Sequence, residues 1–294
     1  MRIRVFTTPA AVARSFAADI ARALAANPTI VLGLPTGRTP IPLYRELVRL
    51  FRAGRIDFSR ATTFNLDEFV GIAPHDRCSY YAFMRRHLFD HVNLSTRRIH
   101  VLNGMAPNAA RECARYEHAI ARAGGVDVQL LGLGSNGHIG FNEPARALFA
   151  RTHRTRLSMA TRRANAALFG NRATAVPREA LSMGMATILH ARRIVLIATG
   201  ASKAACVRKM LEGAVTPMVP ASFLQLHRRP EGRSPERLAL HISAIGREAW
   251  RRRSARLSAE RHPTLSSSFN RSSTSSPIAS RTKSCAWRRR ASAF

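Results

Sequence analysis

The chain has 294 residues, 46% of them hydrophobic and 22% charged, which is typical of a globular protein with a large core. No apolar run approaches the roughly 20 residues that span a bilayer, the N-terminus lacks a secretory signal, and the four cysteines contain no C-x-x-C pair. We therefore expect a cytoplasmic protein with no membrane partner, disulfide framework or zinc site. The net charge of +30 would suit a nucleic-acid partner, but the arginines are scattered along the chain, so we expect solvated basic faces instead.

Strand and helix patterns alternate from the N-terminus to His227. Strands separated by helix-length segments favour βαβ units, so we predict an α/β fold with a mostly parallel sheet. In chain order, the predicted elements are strand Arg2–Phe6, helix Ala10–Ala26, strand Thr29–Leu34, helix Pro40–Phe51, strand Thr62–Leu66, helices Tyr80–His91 and Ala109–Ala123, strands Val126–Leu133 and Arg154–Met159, helix Arg178–His190, strand Arg193–Ala198 and helix Ser202–Glu212.

The composition changes after His227. Ser, Arg and Pro dominate residues 228–294, and little apolar periodicity survives beyond Leu238–Ile245. Such a segment buries too little surface to offset its ordering entropy, so we expect a disordered, basic, low-complexity C-terminal tail with one helix near Ile242–Arg256. We place the α/β domain at residues 1–227. A frameshifted reading frame would explain the tail, and a genuine nucleic-acid-binding extension is the alternative; sequencing the source DNA across codon 228 separates the two.

Two predicted strands end in segments that suit an anion. Thr36, Gly37, Arg38 and Thr39 form a turn that leads into a helix, where free backbone N–H groups and the helix dipole attract negative charge. Lys203 lies at a helix start. Because the helix dipole is positive at that end, a lysine there is unfavourable unless an anion lies between its ammonium group and the helix. An ordinary strand–helix turn and a solvated lysine are the alternatives.

Two other strands end in candidate proton-transfer groups. Asp67 and Glu68 are adjacent at a strand end, so one carboxylate can enter a cleft while the other points elsewhere; a solvated turn is the alternative. Asn136, His138 and Glu143 lie within eight positions after the most apolar predicted strand. A histidine between an amide and a carboxylate suits proton transfer near neutral pH. All these segments follow carboxyl ends of strands, where an open α/β sheet usually binds its ligand, so the sequence predicts an enzyme.

These motifs resemble those of the glucosamine-6-phosphate deaminase (isomerase) family over about residues 2–227. The Phe141-Asn142-Glu143-Pro144 element separates its deaminases from the related 6-phosphogluconolactonases. The resemblance implies a Rossmann-like, mostly parallel sheet with helices on both faces. It also implies the conversion of glucosamine 6-phosphate and water to fructose 6-phosphate and ammonia in amino-sugar catabolism, without a metal or organic cofactor. The segments that carry it are LPTGRTP, TTFNLDEFVG, SYYAFMRRHLFDHV, LLGLGSNGHIGFNEP, VPREALSMGMATIL and ASFLQLH.

The resemblance implies a role for each candidate residue. Asp67 is similar to the base that moves a proton between C2 and C1. His138 is similar to the group that opens the sugar ring, assisted by Glu143. Asn136 orients His138 but, as a neutral amide, leaves Glu143 as the charged partner. The residues that would hold the phosphate are Thr36, Gly37, Arg38, Thr39 and Lys203.

The chain departs from the family pattern at three places. Arg38 stands where many members have a small residue, and Ala167 stands where many have a phosphate-binding arginine. We expect Arg38, or else Arg162 or Arg163, to compensate for Ala167. The tail replaces a usual short hydrophobic strand, whose loss would expose a sheet edge.

Other functions remain open at this stage. The substrate could be another hexosamine phosphate, and lactone hydrolysis is disfavoured by Phe141–Pro144. A sugar-phosphate-binding regulator with a basic nucleic-acid-contacting surface is the other alternative, although a pure sensor needs neither the acid nor the base, and no helix-turn-helix segment is present. Some family members are hexamers activated by an acetylated sugar phosphate and others are simpler, so a homo-oligomer stays open. We expect the segment from Ala145 to about Val176 to act as a mobile lid.

Overall fold

The structure is a computed structural model that describes residues 2–227 and 238–243, all within one compact unit of residues 1–248. The strands of this part are β1 (Arg2–Phe6), β2 (Val31–Leu34), β3 (Thr62–Asn65), β4 (Asp67–Phe69), β5 (Ile99–His100), β6 (Val128–Gly132), β7 (His153–Arg156), β8 (Glu179–Ser182), β9 (Arg193–Thr199) and β10 (Leu238–Ser243). The helices are α1 (Pro9–Ala26), α2 (Ile41–Arg52), α3 (Tyr80–His87), α4 (Ala109–Arg122), α5 (Met159–Asn165), α6 (Met185–Leu189) and α7 (Ala204–Glu212).

Seven strands form a parallel sheet in the order β1-β10-β9-β6-β2-β3-β5. One face, which includes Leu32 and Val195, packs in the same core cluster as residues of α1 and α2. On the opposite face, Phe64 of β3 meets Tyr116 of α4 edge to face, with ring centroids 5.6 Å apart. Helices therefore cover both faces of the sheet. The predicted α/β architecture with a mostly parallel sheet is confirmed.

Local signals explain where α1 begins. The Thr8 hydroxyl accepts a hydrogen bond from the Ala11 N–H at 3.1 Å, and Pro9 occupies the first turn, where its missing N–H costs nothing. The apolar side of the helix, with Phe16 and Ile20, then enters the core.

A second, antiparallel sheet in the order β4-β8-β7 stands beside the first. The chain leaves the parallel sheet after β3 and enters the second sheet at Asp67, one residue beyond Leu66. The predicted helix Arg178–His190 is wrong in its first half, because β8 is buried between β4 and β7. Gly184 lies between β8 and α6, and glycine is required there because a Cβ would overlap the backbone of Arg151.

Strand β10 lies inside the parallel sheet, paired with β1 on one side and β9 on the other. Leu240 and Ile242 are buried there. The predicted domain limit at His227 is therefore too early, because Leu238–Ser243 form a strand of the parallel sheet. This strand covers the edge of β9, which the tail was expected to leave exposed. The predicted helix near Ile242–Arg256 overlaps this strand at its start. The remainder of that helix, and the rest of the predicted tail, lie outside the described residues.

Candidate active site

The polar segments singled out in the sequence meet at one edge of the sheet. Strands β9, β6, β2 and β3 are neighbours and run parallel, so their carboxyl ends lie side by side. The loop of residues 36–39 follows β2, Asp67 follows β3, the turn of residues 134–143 follows β6, and Lys203 follows β9. This is the position where open α/β sheets bind ligands.

Asp67 is a buried carboxylate with one unpartnered oxygen. The residue is 6% exposed, and its Oδ1 has no hydrogen-bond partner among the described residues. Burial, with a contribution from the charge of Glu68, raises the pKa of Asp67 to about 8. With this pKa, Asp67 ionises as the pH rises through about 8, and the ionised carboxylate, with Oδ1 unpartnered among the described residues, is suited to taking a proton from a ligand.

Glu68 faces away from Asp67 and has a structural task. Its carboxylate accepts three backbone hydrogen bonds, from the N–H groups of Phe69 at 2.9 Å, Tyr80 at 3.0 Å and Tyr81 at 3.0 Å. Burial still raises the pKa of Glu68 to about 7, although these donors oppose the rise. The two carboxylates thus have different surroundings, since Glu68 is bonded to the backbone and Oδ1 of Asp67 has no hydrogen-bond partner among the described residues. The solvated-turn alternative is wrong, because both carboxylates are buried.

The turn after β6 fixes the His138 ring. The Gly134 N–H donates to the His138 carbonyl at 3.0 Å, and a Cβ at Gly134 would overlap the imidazole. The Asn136 Oδ1 accepts from the His138 backbone N–H at 3.2 Å and lies 2.7 Å from Nδ1. Because an amide oxygen can only accept, Nδ1 carries the proton and Nε2 is the available acceptor.

The electrostatics of His138 favour the neutral ring. Burial lowers the pKa of His138, Glu143 opposes this, and Lys203 lowers the pKa further. A neutral histidine with a free Nε2 can accept a proton from a hydroxyl group near pH 7.

The same turn connects His138 to Asp67. A Cβ at Gly140, whose φ is +58°, would lie 3.6 Å from Asp67 Oδ2. The Phe141 N–H donates to the Ser182 hydroxyl of β8 at 3.1 Å. Strand β8 pairs with β4 through Asp67 and Ser182, so one network holds the histidine turn against the carboxylate.

Glu143 ends this turn and is one of the residues that line a cavity of about 360 Å³. Its Oε1 accepts the backbone N–H of Ser158 at 3.0 Å. Ser158 is the N-cap of α5, so the carboxylate lies beside the start of that helix, where the dipole favours negative charge.

Arg38 and Lys203 are cations without an ion-pair partner in the described part of the chain. Arg38 is exposed and, with Thr39, lines a cavity of about 250 Å³ that reaches Pro9 and Thr199. Gly37 precedes it with φ +93°, a backbone conformation that favours glycine. Lys203 is half-buried, and burial lowers its pKa. Two unpaired cations at one sheet edge suit an anionic ligand.

Arg162 and Arg163, the arginines near Ala167, differ in burial and in hydrogen bonding. The buried Arg162 donates from Nε to the Val176 carbonyl at 3.0 Å and from Nη2 to the Thr174 carbonyl at 2.9 Å. Its guanidinium therefore holds the chain after α5 and is not available to a ligand. Arg163 and Ala167 are exposed.

The described part of the chain contains no cluster of three or more His, Cys, Asp or Glu that could hold a metal ion. Within the same residues, no helix is long and apolar enough to cross a membrane.

The sequence did not single out several residues that support the site. Ser182 accepts from the Phe141 N–H, 41 positions away, in the turn that carries His138 and Glu143. Ser158 donates to Glu143, 15 positions away, and Tyr80 donates to Glu68, 12 positions away and next to Asp67. The double tyrosine at a predicted helix start was the one visible signal for Tyr80.

Comparison with known proteins gives a consistent picture. A family model described as glucosamine-6-phosphate isomerases/6-phosphogluconolactonase matches residues 7–232. A relative from Alkaliphilus oremlandii named glucosamine-6-phosphate deaminase is 46% identical over 227 residues, which is 77% of this chain and 94% of the relative. A Bacillus subtilis relative named glucosamine-6-phosphate deaminase 2 is 49% identical over 212 residues, 72% of this chain and 85% of the relative.

Solved structures agree. One described as a monomeric glucosamine-6-phosphate deaminase has a TM-score of 0.78 and 39% identity, covering 85% of this chain and 99% of the other. The 6-phosphogluconolactonase of Thermotoga maritima has a TM-score of 0.63 with 18% identity, covering 82% and 99%, and shares the fold alone.

Proposed function

The chain belongs to the glucosamine-6-phosphate isomerase/6-phosphogluconolactonase family, and we propose that it is a glucosamine-6-phosphate deaminase of amino-sugar catabolism. The reaction converts glucosamine 6-phosphate and water to fructose 6-phosphate and ammonia. The observation that carries this proposal is Asp67, a buried carboxylate with a free oxygen, held against the turn that bears His138 and Glu143.

Ring opening is the first step. His138 takes the proton of the C1 hydroxyl at Nε2 and returns a proton to the ring oxygen as the C1–O5 bond breaks. Asn136 keeps Nδ1 protonated, and the negative charge of Glu143 stabilises the imidazolium that forms transiently. The lowered pKa of His138 keeps the ring neutral, and ready to accept, before substrate arrives.

Enolisation is the second step. Asp67 removes the proton from C2 of the open chain and delivers it to C1, while one proton of the C2 ammonium group passes to O1. The C1 aldehyde thereby becomes an alcohol, and the C2–N bond becomes an iminium. Water adds to the iminium carbon, a proton moves from the added water to the nitrogen, and ammonia leaves as the second proton of that water is lost, which gives the ketone of fructose 6-phosphate. The substrate carries a protonated amine on C2, next to the carbon that Asp67 must reach, and this cation would favour ionised Asp67 after binding.

The phosphate group needs cations and N–H donors far from C2. The loop of residues 36–39 supplies backbone N–H groups, and Lys203 and Arg38 supply positive charge without a competing acid. Arg38 would then supply the positive charge that, by the family resemblance, an arginine at the position of Ala167 supplies in many members.

The partner of this enzyme is a small hexosamine phosphate, with no membrane or nucleic acid required, and its location is the cytoplasm. Sedimentation of the purified protein decides between a monomer and a homo-oligomer.

The test is product formation from three sugar phosphates. Purified protein should release ammonia and fructose 6-phosphate in a 1:1 ratio from glucosamine 6-phosphate. Galactosamine 6-phosphate serves as the epimer control, and 6-phosphogluconolactone tests the lactonase alternative. Folded protein that hydrolyses the lactone but releases no ammonia from either amino sugar would contradict the proposal.

A further inference from the structure

The reaction scheme assigns no task to the ASFLQLH segment, which begins at Ala221. Its first two residues and the five before them form a short loop, residues 216–222. Within this loop the Val219 N–H donates to the Thr216 carbonyl at 3.0 Å, and the Ser222 N–H donates to the Val219 carbonyl at 2.7 Å. Loop 216–222 therefore folds back on itself within seven residues.

Ser222 closes loop 216–222 with its side chain. The residue is fully buried, and its hydroxyl oxygen accepts a hydrogen bond from the Thr216 N–H at 2.9 Å and donates one to the Thr216 carbonyl at 3.2 Å. A buried hydroxyl that is bonded as both acceptor and donor has a defined position. One side chain thus ties the last residue of the loop to the first.

Loop 216–222 contacts turn 134–143 at the residue before His138. The Ala221 N–H donates to the Gly137 carbonyl at 2.8 Å. A Cβ at Gly137, whose φ is +90°, would lie only 2.9 Å from Cγ1 of Val219, so the Val219 side chain lies directly beside this glycine. Because Gly137 connects Asn136 to His138, the two contacts fix the backbone on which the hydrogen bond from Nδ1 to the Asn136 amide depends.

The same loop reaches the chain just beyond the other end of the turn. The Ala145 N–H, two residues after Glu143, donates to the Pro217 carbonyl at 3.4 Å. The contacts that come from β8 and Met183 reach a different part of the turn, at residues 141 and 142. Loop 216–222 therefore supports the half of the turn that carries the imidazole.

We propose that Ser222 is a positioning residue, which keeps loop 216–222 closed against Gly137 and thereby keeps His138 in the orientation that ring opening requires. The inference deepens the proposed function and rests on it for its kinetic readout only. Asp67 is supported by its pairing with β8, so the loop acts on ring opening and not on the removal of the C2 proton.

The first test is the kinetics of Ser222→Ala with glucosamine 6-phosphate deuterated at C2. Ring opening should slow, and kcat/KM should fall by about three- to thirtyfold, less than the roughly 10²-fold that a misplacement of about 1 Å can cost. Because ring opening then limits the rate, the primary isotope effect should shrink towards unity. A fall in kcat/KM with an unchanged isotope effect would overturn the proposal, since a loss of active protein lowers the rate in that way.

Ser79→Ala is the matched control. Ser79 is also fully buried, and its hydroxyl also accepts from one backbone N–H, that of Ala82 at 2.9 Å, and donates to one carbonyl, that of Pro74 at 2.9 Å. The variant should lower the melting temperature about as much as Ser222→Ala does, because the same two bonds are lost. Its isotope effect should keep the wild-type value. An isotope effect that shrinks equally in Ser79→Ala would overturn the proposal, because lost stability would then be the cause.

The second test needs no activity. Nitrogen NMR of protein with isotopically labelled histidine shows which imidazole nitrogen carries the proton, and the loss of signals in His138→Asn assigns His138 among the 11 histidines. In the wild type Nδ1 should be protonated and Nε2 should not, as the Asn136 amide requires. In Ser222→Ala the two shifts should approach each other as the second tautomer becomes populated, and in Ser79→Ala they should not. Unchanged His138 signals in Ser222→Ala would overturn the proposal.

Val219→Ala tests the same contact with a milder change. Val219 is half-buried, so the fold tolerates its replacement even where Ser222→Ala does not fold. Removal of the methyl groups beside Gly137 should shrink the isotope effect and mix the two tautomers, both by less than in Ser222→Ala. Folded Val219→Ala that shows neither effect would overturn the proposal.

The two tests separate the possible failures. Wild-type protein that releases no ammonia, while Ser222→Ala mixes the His138 tautomers, would refute the proposed function and support the role of Ser222. Active wild-type protein in which Ser222→Ala leaves the His138 signals unchanged would refute the role of Ser222 and support the proposed function.

Discussion

Two regions of the candidate site are built in opposite ways. The carboxylate–histidine region (Asp67 and turn 134–143) is held by a network of hydrogen bonds from the backbone and from Asn136, Asn142 and Ser182. The loop–lysine region (loop 36–39 and Lys203) contains an exposed arginine and a half-buried lysine that have no ion-pair partner among the described residues.

The difference fits the roles that we propose for the two regions. Proton transfer needs groups held within hydrogen-bond reach of the reacting atoms, so their supports must come from the fold. Anion binding needs uncompensated positive charge, so the fold must leave those cations unpaired until a ligand arrives. Substitutions in the first region should therefore affect turnover, and substitutions in the second should affect affinity.

The largest effect is expected for Asp67→Asn. The amide keeps the shape but cannot take the C2 proton, so turnover should fall by about 10²- to 10⁴-fold with little change in KM. Asp90→Asn is the matched control, because it makes the same change at an exposed acid that pairs with Arg85. Steady-state kinetics of both variants give the answer. If Asp67→Asn instead raised KM and kept the wild-type turnover, the assignment of turnover to the first region and of affinity to the second would be wrong.

The pH profile should show the next largest effect. The base must be ionised, and the pKa of Asp67 is raised to about 8, so kcat/KM should rise with pH below 8 and level off above it. The rise should approach about tenfold per pH unit, and no break should appear near 6.5, because the pKa of His138 is lowered. Initial rates at subsaturating substrate between pH 5.5 and 9.5 give this profile. An acid limb centred near pH 4 would mean that burial does not raise the pKa of Asp67.

The smallest of the three effects is expected for Arg38→Ala. Loss of one charge-assisted contact to phosphate should raise KM by about ten- to a hundredfold while turnover stays nearly constant. Arg163→Ala removes the same charge from an exposed position on α5 and serves as the control. Substrate titrations of the two variants measure both constants. An increase in KM for Arg163→Ala with none for Arg38→Ala would assign the compensation for Ala167 to Arg163.

The parallel sheet could be predicted because its strands are buried runs separated by amphipathic helices. The convergence of the candidate segments could be predicted too, since they follow β2, β3, β6 and β9, and parallel neighbours bring such segments together. That Asp67 and Glu68 diverge follows from the alternation of side chains along a strand.

Long-range pairing could not be predicted. The segment Glu179–Ser182 is helix-like in composition, but burial between β4 and β7 makes it a strand. Strand β10 was not predicted because arginine-rich segments flank it in the sequence, although Leu238, Leu240 and Ile242 alternate with the period of a strand. The contact of Tyr80 with Asn165 joins residues 85 positions apart, and no local pattern encodes such a contact.

The most direct test of the account is to follow the C2 hydrogen itself. Glucosamine 6-phosphate deuterated at C2 should react with a primary isotope effect on kcat/KM, and part of the label should appear at C1 of fructose 6-phosphate, because Asp67 carries the same hydrogen between the two carbons. In Asp67→Asn this transfer should disappear. Transfer of the label that persists in Asp67→Asn at the wild-type rate would contradict the assignment of Asp67 as the base.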